Sequence, residues 1–380
     1  MKTEQFIYSL ERGWEYLINK NLSEVAQLIL VFGNRELLKN SENIAHIKNL
    51  YPHAEVFGCS TSGEICETRI YDENIICTAV WFEKSYIKTS SQEISGSEES
   101  FSSGVALAEK LNADDLVHIL VFSEGLNING SELAKGINSV INSSVPVTGG
   151  LAGDQAIFRE TVVVGNQTGA KNYVTAVGFY GKNLKTGNGS LGGWTSFGVD
   201  RLVTKSDKNV LYELDGQPAL ELYKKYLGEH VSGLPASALL FPLSLQVSNS
   251  DTNLIRTVLS VNESDGSMVF AGDVPQGEYV RLMTANPEKL IDGASQAAEI
   301  SLQKLRETEP DLAILISCVG RKLVLKQRVE EELETVKDVL GENTTITGFY
   351  SYGELCPAKL TESVCELHNQ TMTITVLKEL

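Results

Sequence analysis

An α/β chain of two domains, built from repeated strand-helix-strand units with glycine-acid loops and β-rich insertions, is the fold that these 380 residues predict. Three observations predict it. A short stretch occurs twice, as GCSTSGEIC from Gly58 to Cys66 and as GFYSYGELC from Gly348 to Cys356. Each copy is preceded by an apolar run ending at glycine, Leu28 to Gly33 and Leu315 to Gly320, and then by an amphipathic stretch. A weaker third copy starts at Val117-His118-Ile119-Leu120-Val121-Phe122 and ends at Val147 to Asp154, where Gly153-Asp154 stands in place of Gly-Glu. Glycine admits close backbone approach and an adjacent carboxylate accepts backbone N–H bonds, so these corners read either as plain turns or as one shared ligand rim.

The elements follow in order. Phe6, Leu10, Trp14 and Leu17 fall at helical spacing and predict an opening helix. Glu24 to Phe32 reads as a buried strand, then a helix carries Ile44, Ile47 and Leu50, and Ala54 to Phe57 leads as a strand into the first Gly-Glu loop. Ile75 to Phe82 and Tyr86 to Ser90 are strands, Ser91 to Ser103 an exposed loop or helix entry, and Gly104 to Leu111 a helix before the third copy. Glu160 to Val164 and Tyr173 to Tyr180 are β-rich, whereas Thr186 to Gly193 reads as a glycine-rich turn with no phosphate-loop pattern. Two alternating strands between Trp194 and Leu214 lead through Asp215-Gly216 to a helix bearing Leu220, Tyr223 and Leu227, with Pro218 in its first turn and Gly228 as its cap. The domain boundary is placed there, giving domains 1–228 and 229–380. The second holds strands at 255–261, 268–271 and 279–283 around an Asp265-Gly266 hairpin, helices from Pro287 to Leu305 and Val329 to Leu340, and a C-terminal strand from Gln370 to Leu377.

A formal charge of −17 disfavours nucleic acid and anionic membrane as partners, because like charges repel and no basic tract offsets them. No apolar run approaches the ~20 residues of a membrane span, and the N-terminus carries charge through its apolar positions, so the expectation is a cytoplasmic chain without membrane insertion. Six cysteines include no Cys-x-x-Cys pair, which weakens zinc and thioredoxin readings; Cys59, Cys66 and Cys356 at the loop ends keep a thiol or zinc redox switch open. No Gly-x-Ser-x-Gly elbow and no spaced His–carboxylate pair points to catalysis, so no enzyme is expected.

The run Gly58 to Ile65, the stretch Asn209 to Ala219, Phe270-Ala271-Gly272-Asp273-Val274-Pro275, Phe349 to Glu354, and Leu367-His368-Asn369-Gln370-Thr371 together resemble the FIST family, a sensory domain pair of bacterial signalling proteins and some F-box proteins. The resemblance implies an N-terminal and a C-terminal FIST domain and detection of a small ligand. By length and run of motifs, the chain is similar within that family to the bacterial nitric-oxide-sensing haemoproteins called NosP. That implies haem b held by a histidine, nitric oxide as signal and a histidine kinase as partner.

Of the five histidines, His118 reads as core, and His46 and His53 as surface. His230 precedes the apolar segment Val231 to Phe241 and is the leading iron and metal ligand, with Phe241 as a pocket wall; as a plain residue it caps a helix C-terminus. His368 is the second candidate, in the C-terminal strand. Arg256 and Arg201 are candidate partners for a haem propionate or an amino-acid carboxylate, with Glu64, Asp154 and Glu354 against an ammonium. Ser60, Thr61, Ser351 and Tyr352, beside those acids, complete the ligand set for a haem-independent sensor of amino-acid-like molecules.

Overall fold

A computed structural model describes residues 1–166, 169–246, 254–306, 308–359 and 362–380. Its sheets reveal a five-stranded repeat that occurs three times. The first repeat has β1 (Lys2–Ser9), β2 (Leu28–Gly33), β3 (Glu55–Ser60), β4 (Glu64–Cys66) and β5 (Ile75–Trp81). The second has β6 (Tyr86–Glu93), β7 (Leu116–Ser123), β8 (Val147–Leu151), β9 (Val163–Gly165) and β10 (Tyr173–Tyr180). The third has β11 (Leu184–Leu191), β12 (Leu312–Cys318), β13 (Thr345–Ser351), β14 (Gly353–Lys359) and β15 (Met372–Glu379). Each repeat builds the same sheet order, β9-β3-β2-β5-β1, β14-β8-β7-β10-β6 and β4-β13-β12-β15-β11. The second and third strands of each repeat pair in parallel, as a helical crossover requires. The fourth strand always leaves its own repeat and pairs antiparallel in a neighbour's sheet.

Three glycines allow the parallel pairs to touch. A Cβ on Gly58 would lie 1.6 Å from the Val31 carbonyl oxygen, on Gly149 2.0 Å from that of Val121, and on Gly348 1.8 Å from that of Leu315. These are the cross-strand partners at one equivalent register in each sheet. The inner faces of the sheets share a core holding Leu30, Phe32, Leu120, Phe122, Ile314 and Ile316, where the Phe32 ring lies 5.4 Å from that of Phe122 and 4.8 Å from that of Phe349. Helices cover the outer faces: Ser41–Leu50 on the first sheet, Ser100–Leu111 and Gly130–Asn138 on the second, Pro287–Gln303 and Val329–Leu340 on the third. On the last, Val329, Leu333, Val336 and Leu340 form the buried stripe at helical spacing. Cover on both faces explains why the central strands read as unbroken apolar runs.

Between β11 and β12 the third repeat carries an insertion, a nine-stranded sheet with the helix Ala219–Leu227. It has its own core of Val203, Leu220, Tyr223, Phe270 and Val280. Strands from both sides of residue 228 share three of the four sheets, so the two expected domains interleave.

The expected opening helix is a hairpin of β1 and Gly13–Ile18. Gly13, at φ +71°, turns the chain, leaving Leu10 76% exposed while Phe6 stacks 5.2 Å from the Tyr51 ring. Apolar residues from two strands happened to fall at helical spacing. Thr3 and Gln5 of β1 are buried with partners: the Thr3 and Thr345 hydroxyls lie 2.7 Å apart, and Gln5 Nε2 donates to the Ile346 carbonyl at 2.9 Å. The expected glycine-rich turn at Thr186 to Gly193 is largely β11. Its glycines serve close packing: Cβ atoms on Gly187 and Gly189 would lie 2.0 and 2.1 Å from the Ser301 and Ala297 carbonyls of the covering helix. The Gly-Glu loops likewise shrink, since Gly58 to Ser60 lie in β3 and Glu64 to Cys66 form β4.

Candidate functional site

β3, β8 and β13 each end at a turn that hands the chain to another sheet. There, three backbone bonds close a ring. Ser62 N–H donates to the Tyr350 carbonyl at 2.8 Å, Tyr352 N–H to Leu151 at 3.1 Å, and Gly153 N–H to Ser60 at 2.9 Å. The three corners therefore do converge. In this register Glu64 and Glu354 are equivalent to Gln155, and Asp154 is equivalent to Gly63 and Gly353, so the expected alignment of Asp154 with the two glutamates is one residue out. Asp154 has a different task. It accepts N–H bonds from Phe158 at 2.8 Å, Arg159 at 2.8 Å and Glu160 at 3.0 Å, and a short bond from the Tyr352 hydroxyl, tying one turn to the next.

Ser60, Thr61, Glu64, Asp154, Ser351, Tyr352 and Glu354 are all buried at this ring, with their polar atoms engaged inside it. The Thr61 hydroxyl donates to Glu64 at 2.5 Å and the Ser351 hydroxyl to Glu354 at 2.6 Å, the same three-residue spacing in both repeats. Thr371 gives Glu354 two more bonds, from N at 3.1 Å and from its hydroxyl at 2.9 Å. Burial pushes the Glu64 carboxyl up to about 8, against the opposing Thr61 bond, and that of Glu354 up to about 7, against the Ser351 and Thr371 bonds. Ser60 links neighbouring turns, donating to the Gly153 carbonyl at 2.8 Å and accepting from Val162 N–H at 3.0 Å. The ring is a locked junction whose carboxyls face their own turns.

An open site lies elsewhere. A cleft of about 250 Å³ sits between the helix Gly130–Asn138, the edge strand Glu362–His368 and the insertion. Its walls include Ala134, Leu245, Leu254, Pro275, Val364 and Leu367, with Lys135, Arg256, Asp273 and Glu366 as its charges. Arg256 is buried, and among the described residues it meets no carboxylate within ion-pair distance. Its Nε donates to the Asp273 carbonyl at 2.8 Å, and its Nη1 to the carbonyls of Ile255 at 3.2 Å and Leu367 at 3.0 Å. Nη2 takes no partner among the described residues. Burial lowers this guanidinium to about 10, still cationic at neutral pH. The Asp273 carboxylate is held by Asn129 Nδ2 at 2.9 Å and Lys135 Nζ at 2.8 Å; these bonds outweigh burial and keep its pKa below the usual value. Of the expected site residues, Arg256 alone lines this cleft. Lys135 and Glu366 went unread in the sequence, and Asp273 figured only within the Phe270 to Pro275 motif.

The other candidates are dispersed. Arg201 lies in the insertion, its Nη1 2.9 Å from Asp215 Oδ2 and its Nη2 2.7 Å from the Tyr226 hydroxyl. His230 is exposed in a short 3-10 segment, with the half-buried Phe241 ring 5.3 Å away, and among the described residues it belongs to no cluster of potential metal ligands. His368 ends the edge strand Glu362–His368 and not the C-terminal strand, as expected from sequence. Its Nε2–H donates to the Cys356 carbonyl at 3.1 Å, and burial lowers its pKa to about 4, so the ring is neutral at pH 7. His118 is fully buried against the Thr148 hydroxyl at 2.7 Å. All six cysteines are free and buried. Burial pushes Cys66 and Cys356 up to about 12 and Cys59 well up, which leaves little thiolate for redox or metal chemistry. Among the described residues, no three His, Cys, Asp or Glu side chains form a group that could hold a metal ion. No helix among them is long and apolar enough to cross a membrane.

Residues 27–217 match the family model described as the FIST N domain, and residues 219–357 match the one described as the FIST C domain. An uncharacterized protein of Methanocaldococcus jannaschii is similar at 25% identity over 383 residues, covering 92% of this chain and 69% of that protein. Two solved structures share 10% identity and a TM-score of 0.19. Cyanuric acid hydrolase from A. caulinodans aligns over 78% of this chain and 99% of its own, and PurLQS from Thermotoga maritima over 94% and 67%.

Proposed function

The chain belongs to the FIST family, whose sensory domains are associated with small-ligand detection in signalling, and from that premise we propose that it senses a zwitterion of amino-acid type bound in the Arg256 cleft. The observation that carries this reading is a buried guanidinium with a spare nitrogen and no carboxylate partner among the described residues. A buried cation without a direct ion pair is costly even with Asp273 and Glu366 nearby, and a ligand carboxylate would relieve it. Asp273 and Glu366 in the same walls suit the ligand ammonium, and the leucines suit an apolar side chain. The volume, just under the ~300–1,000 Å³ of drug-sized sites, suits a molecule of that size. Because the cleft has one wall on the second sheet and its helix Gly130–Asn138 and the other on the insertion, a bound ligand would favour the arrangement in which the two clasp it. A signalling partner such as a histidine kinase would read that arrangement. Catalysis has no part in this reading.

The test is thermal unfolding of the full chain across a panel of free amino acids. A ligand at 100 times its Kd should stabilise by about 2.7 kcal/mol, and Arg256→Gln should abolish that gain. A panel without any saturable shift, or a shift that Arg256→Gln leaves intact, would sink the proposal.

A haem-based nitric-oxide sensor is a second reading, favoured by one observation. His368 is neutral and donates one ring N–H to a backbone carbonyl, as metal-bound histidines do. The neighbouring cleft does not fit a tetrapyrrole, since about 250 Å³ lies below the range for drug-sized groups and the macrocycle is larger still. A Soret band after reconstitution, lost in His368→Ala but kept in His230→Ala, would reinstate this reading.

A further inference from the structure

A second cleft lies on the side of the core where β7 and β8 begin. It is an open hollow of about 530 Å³ whose charged residues are Lys182, Lys185 and Lys304, all exposed, with no carboxylate among the described residues of its walls. In a chain of net charge −17 such a gathering is unexpected. Elsewhere lysines are commonly engaged: Lys39 meets Glu160 at 2.7 Å, Lys135 meets Asp273 at 2.8 Å, and Lys337 meets Glu67 at 2.7 Å. None of the three cleft ammonium groups meets a carboxylate among the described residues. Lys185 also stands directly across from Lys378 in the pairing of β11 with β15, a like-charge arrangement that destabilises a sheet unless an anion offsets it. Lys378 is neutralised by Asp311 at 2.7 Å, which leaves Lys185 as the uncompensated member. Ser144 and Thr186 add hydroxyl groups to the same walls.

We propose that this lysine cleft binds a small phosphate-bearing molecule. Three ammonium groups with nearby hydroxyls match a compact dianion, and lysine serves as a point charge toward phosphate. Partial desolvation also lowers the pKa of Lys304, a shift that a bound anion would reverse. The strongly negative remainder of the chain repels extended polyanions, so a small ligand is favoured over nucleic acid.

Calorimetric titration of the full chain with inorganic phosphate, glycerol phosphate and AMP tests this at constant ionic strength balanced with sodium chloride. Saturable binding by at least one probe is expected, weakened at least tenfold in Lys185→Ala/Lys304→Ala and largely regained with Lys304→Arg. Equal binding of all three identifies the phosphate group itself as the ligand. A preference for glycerol phosphate identifies an organic monoester, and a preference for AMP a nucleotide. Lys182→Ala supplies an independent variant should the double substitution unfold. Absence of saturable binding, or binding unchanged in folded lysine variants, overturns the proposal.

Discussion

Arg321→Met should cost about 3–5 kcal/mol of stability, read as a lower urea midpoint at unchanged slope. Arg321 and Glu332 are both fully buried, with Nη2 2.7 Å from the carboxylate. The same Nη2 donates to the Leu290 carbonyl at 2.8 Å, and Nη1 makes a short bond to the Gly192 carbonyl. Glu332 also accepts from the Tyr350 hydroxyl at 2.6 Å and the Ser317 hydroxyl at 3.4 Å. Removing the guanidinium strands a buried carboxylate and two carbonyls, whereas removing both charges strands only neutral groups. Arg321→Met/Glu332→Leu should therefore be more stable than Arg321→Met alone. A single-variant loss under about 1 kcal/mol, or a double variant less stable than the single, would show that the pair is not holding the helices of the third repeat against their sheet.

That pair was invisible in the sequence for a physical reason. An arginine on one helix and a glutamate eleven residues on look like ordinary surface charges until the helices fold over the sheet. What the sequence does carry is the repeat. Central strands covered on both faces must be apolar throughout, so Leu28 to Phe32, Val117 to Phe122 and Leu312 to Ile316 stand out. The exchanged strands do not, because β4 and β9 are three residues long and their partners lie far along the chain. The alignment of Asp154 slipped because it was anchored on a glycine-acid dipeptide. The invariant of the geometry is the glycine that meets the opposite carbonyl, and Gly149 holds that place. Among the arginines, Arg256 and Arg201 read alike in the sequence, as cations within β-rich segments, and Arg281 lies in a segment of the same kind. Only packing separates them: Arg281 pairs with Asp200 at 2.6 Å near the surface, while Arg256 is buried with carbonyls for company. Lys135, Asp273 and Glu366 come together from distant parts of the chain, and no local pattern announces such a meeting.

Glu64→Gln should gain stability relative to the natural chain as pH rises, by about 4 kcal/mol between pH 5 and pH 9. Burial is the main cause that pushes the Glu64 carboxyl up to about 8; Asp72 adds to it, and Thr61, Asn74 and Lys322 oppose it. In the unfolded chain the same group titrates near 4.5. The folded state therefore holds a proton that the unfolded state has already released, and raising the pH favours unfolding. The contribution is complete below pH 4.5 and is lost as the pH passes through 8. Glu354, pushed up to about 7 by the same burial, adds a second decline in that window. Glutamine cannot ionise, keeps an acceptor for the Thr61 hydroxyl, and gives up only the long 3.4 Å bond from Asn74 N–H. At pH 5 the variant should thus lie close to the natural chain, and by pH 9 well above it. Glu379, held down to about 2, titrates in the opposite sense and only below pH 4.5, outside this window. Urea midpoints at pH 5, 7 and 9 for both chains decide the matter. A difference between them that stays level with pH would mean that Glu64 is already ionised in the folded ring, and that the junction of the three repeats tolerates a buried charge.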